Sequence, residues 1–211
     1  MKDINTRIYF ITDSTDYDKD EFLRRIESAL KGGVTLIQLR EKEKSTREYL
    51  ELANEVHEIS LKYNVPLIID DRLDIAMAVN AEGVHLGQSD LPIKTAREIF
   101  GPDKIIGATA KTVAQAEEAY EQGADYLGVG AIFPTTTKVK TILTSGETLY
   151  DICMSVPIPV NAIGGLTPDN IDILKGIPIA GVCAVSAIMK AEDPFKASKL
   201  LSEAVKEKLG F

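Results

Sequence analysis

Residues 33–62 read GVTLIQLREKEKSTREYLELANEVHEISLK. In the first part Leu36, Gln38 and Arg40 alternate with Ile37 and Leu39, the pattern of a strand with two different faces. Ser45-Thr46-Arg47-Glu48 then has the form of a capping box. Tyr49, Leu52, Ala53 and Val56 follow it at i, i+3, i+4 and i+7, the stripe of an amphipathic helix. A strand running straight into a helix is one βα unit, and the unit recurs along the chain. The other strand-like runs are Ile8–Thr12, Pro66–Asp70, Gly83–Leu86, Ile105–Thr109, Tyr126–Gly130, Pro159–Gly164 and Gly181–Ser186, which with Val34–Arg40 make eight. A helical segment can be placed after each.

Further helix starts have their own signals. Thr112-Val113-Ala114-Gln115 forms a second capping box, and Thr167-Pro168 and Asp193-Pro194 put a capping side chain before a proline suited to a first helical position. Gly32-Gly33 and Gly123 suit helix ends, while Ala197, Leu200, Leu201 and Ala204 make another apolar stripe. The weakest helix lies between Leu91 and Gly101, where the segment is short and opens on a proline. Alternating strands and helices predict a parallel sheet covered by helices. An open doubly wound sheet would carry a glycine-rich phosphate loop after its first strand. Here that strand ends in Thr12-Asp13-Ser14. Eight units therefore predict a single α/β domain over residues 1–211, a closed (β/α)8 TIM barrel of parallel strands at the short end of its size range.

Composition bounds the partners. The chain has 211 residues and a formal charge of −8, with 45% hydrophobic and 27% charged residues. That balance argues against coating nucleic acid or an anionic membrane surface, which require excess Lys and Arg. A small anionic substrate remains compatible, since it needs only a few cations in one place. The two longest uncharged runs, Ile152 to Pro168 and Gly176 to Met189, are proline-interrupted or too short to span a bilayer. No signal peptide is readable at the N-terminus, and Cys153 and Cys183 read as reduced core thiols, so a cytoplasmic location is expected. Oligomeric state is not legible.

In a TIM barrel the active site lies where strands end and βα loops begin. Those positions hold Asp13, Gln38, Arg40, Asp70, Asp71, His85, Gln88, Asp90, Thr109, Lys111, Thr135 to Lys138, Gly164, Gly165 and Ser186. The opposite ends carry mostly glycine, proline or isolated charges. If Ile37 and Leu39 face the helices, Gln38 and Arg40 point into the barrel mouth. An inward Arg there needs an anionic partner, because an unpaired buried guanidinium is costly. Two or three of Asp70, Asp71 and Asp90 at adjacent strand ends suit Mg2+, a hard cation that shares its shell with phosphates, yet Asp71 and Asp90 are equally placed to cap helices. Thr135-Thr136-Thr137-Lys138 can bind a phosphate or form a plain Thr-rich turn. Gly164-Gly165 and Val185-Ser186 end the last two strands, where many barrels hold phosphate on backbone N–H groups. His57 reads as a surface residue, and His85 as a hydrogen-bonded histidine of the barrel interior. Tyr9 and Phe133 are equally suited to the mouth and to the core.

Taken together, GVTLIQLREK (33–42), GVHLGQSD (83–90), GADYLGVG (123–130), PTTTK (134–138), Ile163-Gly164-Gly165 and Val185-Ser186-Ala187-Ile188 resemble thiamine-phosphate synthase, in order and over nearly the whole chain. The resemblance implies a transferase that joins an aminopyrimidine methyl diphosphate to a thiazole phosphate, releases pyrophosphate, and loses CO2 when the thiazole carries a carboxylate. It implies that Gln38, Arg40 and Lys42 hold the pyrimidine diphosphate, completed by Asp70, Thr109 and Lys138. Asp71 and Asp90 would bind Mg2+; Thr135, Thr136, Thr137, Gly164, Gly165, Val185 and Ser186 would hold the thiazole phosphate. Arg40, Lys42 and Lys138 would then be the catalytic cations. Asp70 stands where the family usually has Asn, Thr109 where it has Ser, and Val-Lys-Thr follows Lys138 in place of a more usual Lys/Asp-containing run. A related thiazole tautomerase shares the barrel but uses a histidine just past the fifth strand, where this chain has Lys111, and lacks the metal aspartates. The other rival is a barrel that binds thiamine precursors without turning them over, for which Asp70 is the one supporting residue.

Overall fold

The structure, a computed structural model, describes residues 2, 4–134 and 142–211. Eight parallel strands close into a barrel in sequence order: β1 Ile8–Ile11, β2 Leu36–Leu39, β3 Leu67–Asp70, β4 Gly83–Leu86, β5 Ile105–Ala110, β6 Tyr126–Gly130, β7 Val160–Ile163 and β8 Gly181–Ala184. Closure comes from β1 pairing with both neighbours, Tyr9 standing opposite Leu36 on one side and Cys183 on the other. The expected (β/α)8 barrel is therefore the observed one; β1, β3, β7 and β8 are a residue or two shorter than their apolar runs, β2 is three shorter, and β5 is one longer.

Alternation sorts each strand into two cores. Tyr9, Ile11, Leu36, Ile68, Ile105, Tyr126 and Cys183 pack inside the barrel. Ile8, Phe10, Ile37, Leu39, Leu67 and Ile69 point outward into the larger core beneath the helices. Ile37 and Leu39 thus face the helices as expected, which leaves Leu36 and Gln38 on the inner face. Tyr9 is fully buried and belongs to the interior, not to the mouth.

The helices between these strands are α1 Lys19–Lys31, α2 Thr46–Lys62, α3 Leu73–Ala78, α4 Ile93–Phe100, α5 Val113–Glu121 and α6 Gly146–Ser155. The short α7, Ser186–Met189, and the long α8, Pro194–Leu209, follow β8. The Ser45/Glu48 capping box forms in full, and Tyr49, Leu52, Ala53 and Val56 are the buried face of α2. At α5 Thr112 caps Gln115 N, but the Gln115 side chain returns to the N–H of Lys111 and not of Thr112. Asp193 caps α8 with Pro194 in its first turn, as expected.

Three expectations need correction. After β7 there is only a 3-10 turn, Ile171–Leu174, and no side chain caps it. The Thr167 N–H bonds to Asn170 Oδ1 at 2.8 Å, so this corner closes as a tight loop. On α8 the buried face is Ser198, Leu201, Ala204 and Val205, while Leu200 is exposed. Gly32 explains the rotation, since a Cβ there would stand 2.7 Å from Ser198 Cβ and 2.5 Å from Phe195 O, and only small groups let α1 and α8 approach so closely. His57 is no free surface residue: Nδ1 lies 3.1 Å from Val79 O and Nε2 3.2 Å from Glu82 Oε1.

Candidate active site

The C-terminal ends of the strands surround a cavity of about 410 Å3. Gln38, Arg40, Lys42, Asp70, Asp71, Asp90, Thr109, Gly164, Gly165, Val185 and Ser186 all line it, together with His85, Gln88 and Lys111. The structure thus brings to one cavity every described residue expected to bind substrate or metal, whereas Asp13 does not line it and instead accepts from Thr15. Thr135, Thr136, Thr137 and Lys138 lie outside the described residues.

The wall at β2 is fastened before any ligand enters. Thr12 Oγ1 accepts from Arg40 N at 3.1 Å, and the Tyr49 hydroxyl donates to Leu39 O at 2.7 Å. Ser14 Oγ donates to Glu41 Oε2 at 2.7 Å, holding the next residue outward. Burial raises the Glu41 carboxyl above its ordinary value despite that bond. Arg40 and Lys42 are left to face the cavity. Lys42 Nζ lies 2.8 Å from Asp70 Oδ2 and also bonds Asp71 Oδ2, while Arg40 Nε stands 3.7 Å from Asp70.

Asp71 does not cap α3. Its backbone takes the left-handed conformation at φ 58°, which Asp tolerates better than most residues. Its N–H bonds His85 O at 2.9 Å, and Arg72 N reaches back to Asp70 O at 2.7 Å. That tight turn throws the Asp71 side chain toward Lys42 and Asp90. Asp90 does not cap α4 either, because the helix begins at Pro92 with no side-chain bond. Instead its Oδ2 accepts from Gly87 N at 2.7 Å. The capping alternatives for both aspartates are therefore not realised. Asp74, by contrast, is exposed on the surface of α3 and paired with Arg72.

The two carboxyls influence each other electrostatically. Burial pushes Asp90 up, and the charge of Asp71 adds to it against the Gly87 N–H. Asp71 is also pressed upward by burial, but the bond and charge of Lys42 outweigh this and hold it below the ordinary carboxylate value. Asp70 is almost fully buried; desolvation first and Asp71 second push its carboxyl up, against Lys42 and Arg40. Lys42 loses solvation, yet Asp70 and Asp71 raise its pKa above the lysine norm.

Such a donor set fits Mg2+. Both carboxylates offer hard oxygens, and each is oriented by a second group, Lys42 or Gly87 N–H. Among the described residues no cluster of three His, Cys, Asp or Glu could enclose a metal by itself. Mg2+ does not demand one, as it is commonly held by one or two carboxylates with water and substrate phosphate oxygens.

Across the cavity, Gly164 and Gly165 turn with φ of 105° and 64°. A Cβ on Gly164 would fall 2.4 Å from Ala131 Cβ, and one on Gly165 2.7 Å from Phe133 Cβ, so only glycine brings this backbone to the cavity wall. Asn170 Nδ2 bonds Gly165 O at 2.8 Å and fixes the turn.

A sequence profile of thiamine monophosphate synthase matches residues 8–188. The chain belongs to the thiamine monophosphate synthase family. It is 54% identical over 187 residues to thiamine-phosphate synthase 2 of Streptococcus pneumoniae, covering 89% of each chain. It is 47% identical over 208 residues to thiamine-phosphate synthase of Methanobrevibacter smithii, covering 99% of each. Among solved structures, thiamine phosphate pyrophosphorylase from Pyrococcus furiosus superposes with a TM-score of 0.89 at 40% identity, covering 98% of both chains.

Asp70 adds a third carboxylate to the cavity, and the structure shows how it is accommodated. The extra carboxylate sits between Lys42 and Arg40 instead of facing the cavity unpaired. Lys111, just past β5, lines the cavity. Sequence reasoning passed over Tyr126, whose hydroxyl lies 2.6 Å from Tyr9 Oη and 3.1 Å from His85 Nδ1. Its signal was present: Tyr126, Gly128 and Gly130 share one face of β6, and two glycines beside an aromatic mark an interior where a large ring needs room.

Proposed function

We propose that this protein is a Mg2+-dependent thiamine-phosphate synthase. Its reaction transfers the 4-amino-2-methylpyrimidinylmethyl group from its diphosphate to a thiazole phosphate. The supporting observation is two differently built walls on one cavity: Arg40 and Lys42 among carboxylates on one side, and the Gly164-Gly165 backbone with Val185 and Ser186 on the other. Family membership and the names of its relatives support the same reading.

In this reading Gln38 and Thr109 orient the pyrimidine, and Arg40, Lys42 and Lys138 hold its diphosphate. The bond from the methylene carbon to the diphosphate oxygen breaks, and both electrons leave with pyrophosphate. Arg40, Lys42 and Lys138 offset the charge that grows on the departing oxygen, which electrostatic preorganisation makes effective inside a cavity. The electron-rich aminopyrimidine stabilises the carbocation left behind. The thiazole nitrogen then forms the new carbon–nitrogen bond. Thr135, Thr136, Thr137, Gly164, Gly165, Val185 and Ser186 hold the thiazole phosphate so that this nitrogen is already placed, and positioning supplies much of the acceleration. A carboxylated thiazole releases CO2 afterward. No step requires a general base. Asp71 and Asp90 would hold Mg2+, whose charge, when bound, further neutralises the leaving diphosphate.

We place the enzyme in the cytoplasm, supported by two free cysteines in a fold that does not use them as disulfides. Among the described residues no helix is long and apolar enough to cross a membrane. The test is pyrophosphate release with both precursors, with Mg2+ and with EDTA. Release that needs both precursors and the metal supports the reading; none in Mg2+ refutes it.

A further inference from the structure

Beneath the cavity a line of hydrogen bonds crosses the barrel interior. Gln38 Nε2 donates to Tyr9 Oη at 2.6 Å, and Tyr9 Oη lies 2.6 Å from Tyr126 Oη. Tyr126 Oη lies 3.1 Å from His85 Nδ1, and His85 Nε2 lies 3.0 Å from Thr109 Oγ1. Both phenols are fully buried, with rings edge to face at 5.6 Å. Gly107 makes the crossing possible, since a Cβ there would fall 2.1 Å from Tyr126 Cζ.

Counting protons gives this line a direction. An amide nitrogen can only donate, so Tyr9 accepts from Gln38 and passes its own hydrogen to Tyr126. Tyr126 then donates to His85 Nδ1, which accepts only in the tautomer carrying hydrogen on Nε2. Nε2–H donates to Thr109 Oγ1, and the Thr109 hydrogen is left for the cavity, as is the carbonyl oxygen of Gln38. Burial raises both phenols well above their ordinary pKa, so each keeps the one hydrogen this scheme needs. The opposite amide orientation would reverse all four bonds.

We infer that Tyr9 and Tyr126 are positioning residues that lock the donor and acceptor character of the two pyrimidine-facing walls together: Gln38 presents an acceptor, Thr109 a donor. The matching ligand is a flat heterocycle with an amino group on one edge and a ring nitrogen on another. This identification of the ligand rests on the proposed function; the direction of the line does not.

Isotope-edited NMR of the histidine imidazoles, on the protein without substrate, tests the direction, with His57→Gln clearing the other histidine's signals. His85 should carry its hydrogen on Nε2 in the native chain and in Tyr9→Phe, which leaves the Tyr126 bond intact. In Tyr126→Phe that preference should be lost. Hydrogen on Nδ1, or the same tautomer in all three proteins, overturns the proposal. Calorimetric binding of the pyrimidine diphosphate should weaken about tenfold in both Phe variants, roughly the worth of one buried hydrogen bond. Thiazole phosphate binding should stay within about twofold, since its wall shares none of these bonds. Equal losses for both ligands, or none for either, would show that the phenols merely fill space. A chain that shows the expected tautomers but releases no pyrophosphate would separate failure of the proposed function from failure of this inference.

Discussion

Asp70→Asn replaces one of three cavity carboxylates with a neutral group of the same shape. Among the described residues lining the cavity, Arg40, Lys42 and Lys111 are matched by Asp70, Asp71 and Asp90, so the substitution turns a balanced mouth into one with a single positive excess. Asp70 Oδ2 stands 2.8 Å from Lys42 Nζ and 3.7 Å from Arg40 Nε, so a diphosphate drawn to those cations comes within about 5 Å of it. At an effective dielectric constant of about 40, suited to a mouth open to water, one pair of like charges at that separation costs about 1.7 kcal/mol. Salt reduces this, and the freer Lys42 side chain gives back a little through lost order. Calorimetry with inorganic pyrophosphate in EDTA should therefore show about tenfold tighter binding to the Asn variant. Burial and Asp71 raise the Asp70 carboxyl, so it takes up a proton earlier than an exposed aspartate as pH falls. Native and variant affinities should thus converge toward acid and separate toward neutral pH. Weaker binding to the variant would refute the reasoning, because it would mean that Asp70 chiefly holds Lys42 and Arg40 in place. A higher Mg2+ requirement would refute it differently, by assigning Asp70 to the metal.

Asp90→Ala should lower turnover by at least about a hundredfold by removing a carboxylate proposed for Mg2+, while losing the Gly87 bond costs only about 1 kcal/mol in a urea melt; full activity would remove Asp90 from the metal site. Gly165→Ala forces a side chain into φ 64° and to 2.7 Å from Phe133 Cβ, so the KM for thiazole phosphate should rise several-fold while that for the pyrimidine stays unchanged. Cys153, half-buried, has its thiol pushed up to about 11, and Cys183, inside the barrel, is pushed higher. A disulfide reagent near about pH 8, where free thiols already ionise appreciably, should label the folded chain slowly and both thiols at once in urea; rapid labelling of the folded chain would contradict the packing.

The fold was legible because its signals are local. Each strand is a short apolar run, α2 carries its own cap and stripe, and alternation in 36–40 separates Ile37 and Leu39, which face outward, from Gln38, which faces inward. The cavity residues were legible for a related reason: a barrel places strand ends together whatever the side chains are. What the sequence concealed depends on partners far along the chain. His57 finds Val79 and Glu82 across a helix–loop contact, and α8 is rotated by a close approach to Gly32 that no periodicity announces. For Asp71 the choice between capping and cavity was open for the same reason, being decided by its N–H bond to His85 O on the neighbouring strand; for Asp90 it is decided locally, in the turn where its carboxylate takes the Gly87 N–H.

The distribution of charge changes how an acidic chain can accept anionic ligands. A formal charge of −8 suggests that the mouth must be a positive island in a negative surface. Among the described residues it is not one, since Lys42 already sits between two aspartates and Arg40 beside one. Unpaired cations crowded in a half-buried mouth would repel one another and lose solvation. Carboxylates between them remove that cost in the empty enzyme. The consequence is that additional positive charge favours the anion's arrival, and Asp71 and Asp90 are the residues we propose to supply it by binding Mg2+. On this argument the proposed metal dependence and the acidic lining are one feature: a mouth balanced at rest binds a diphosphate more tightly together with a cation than alone.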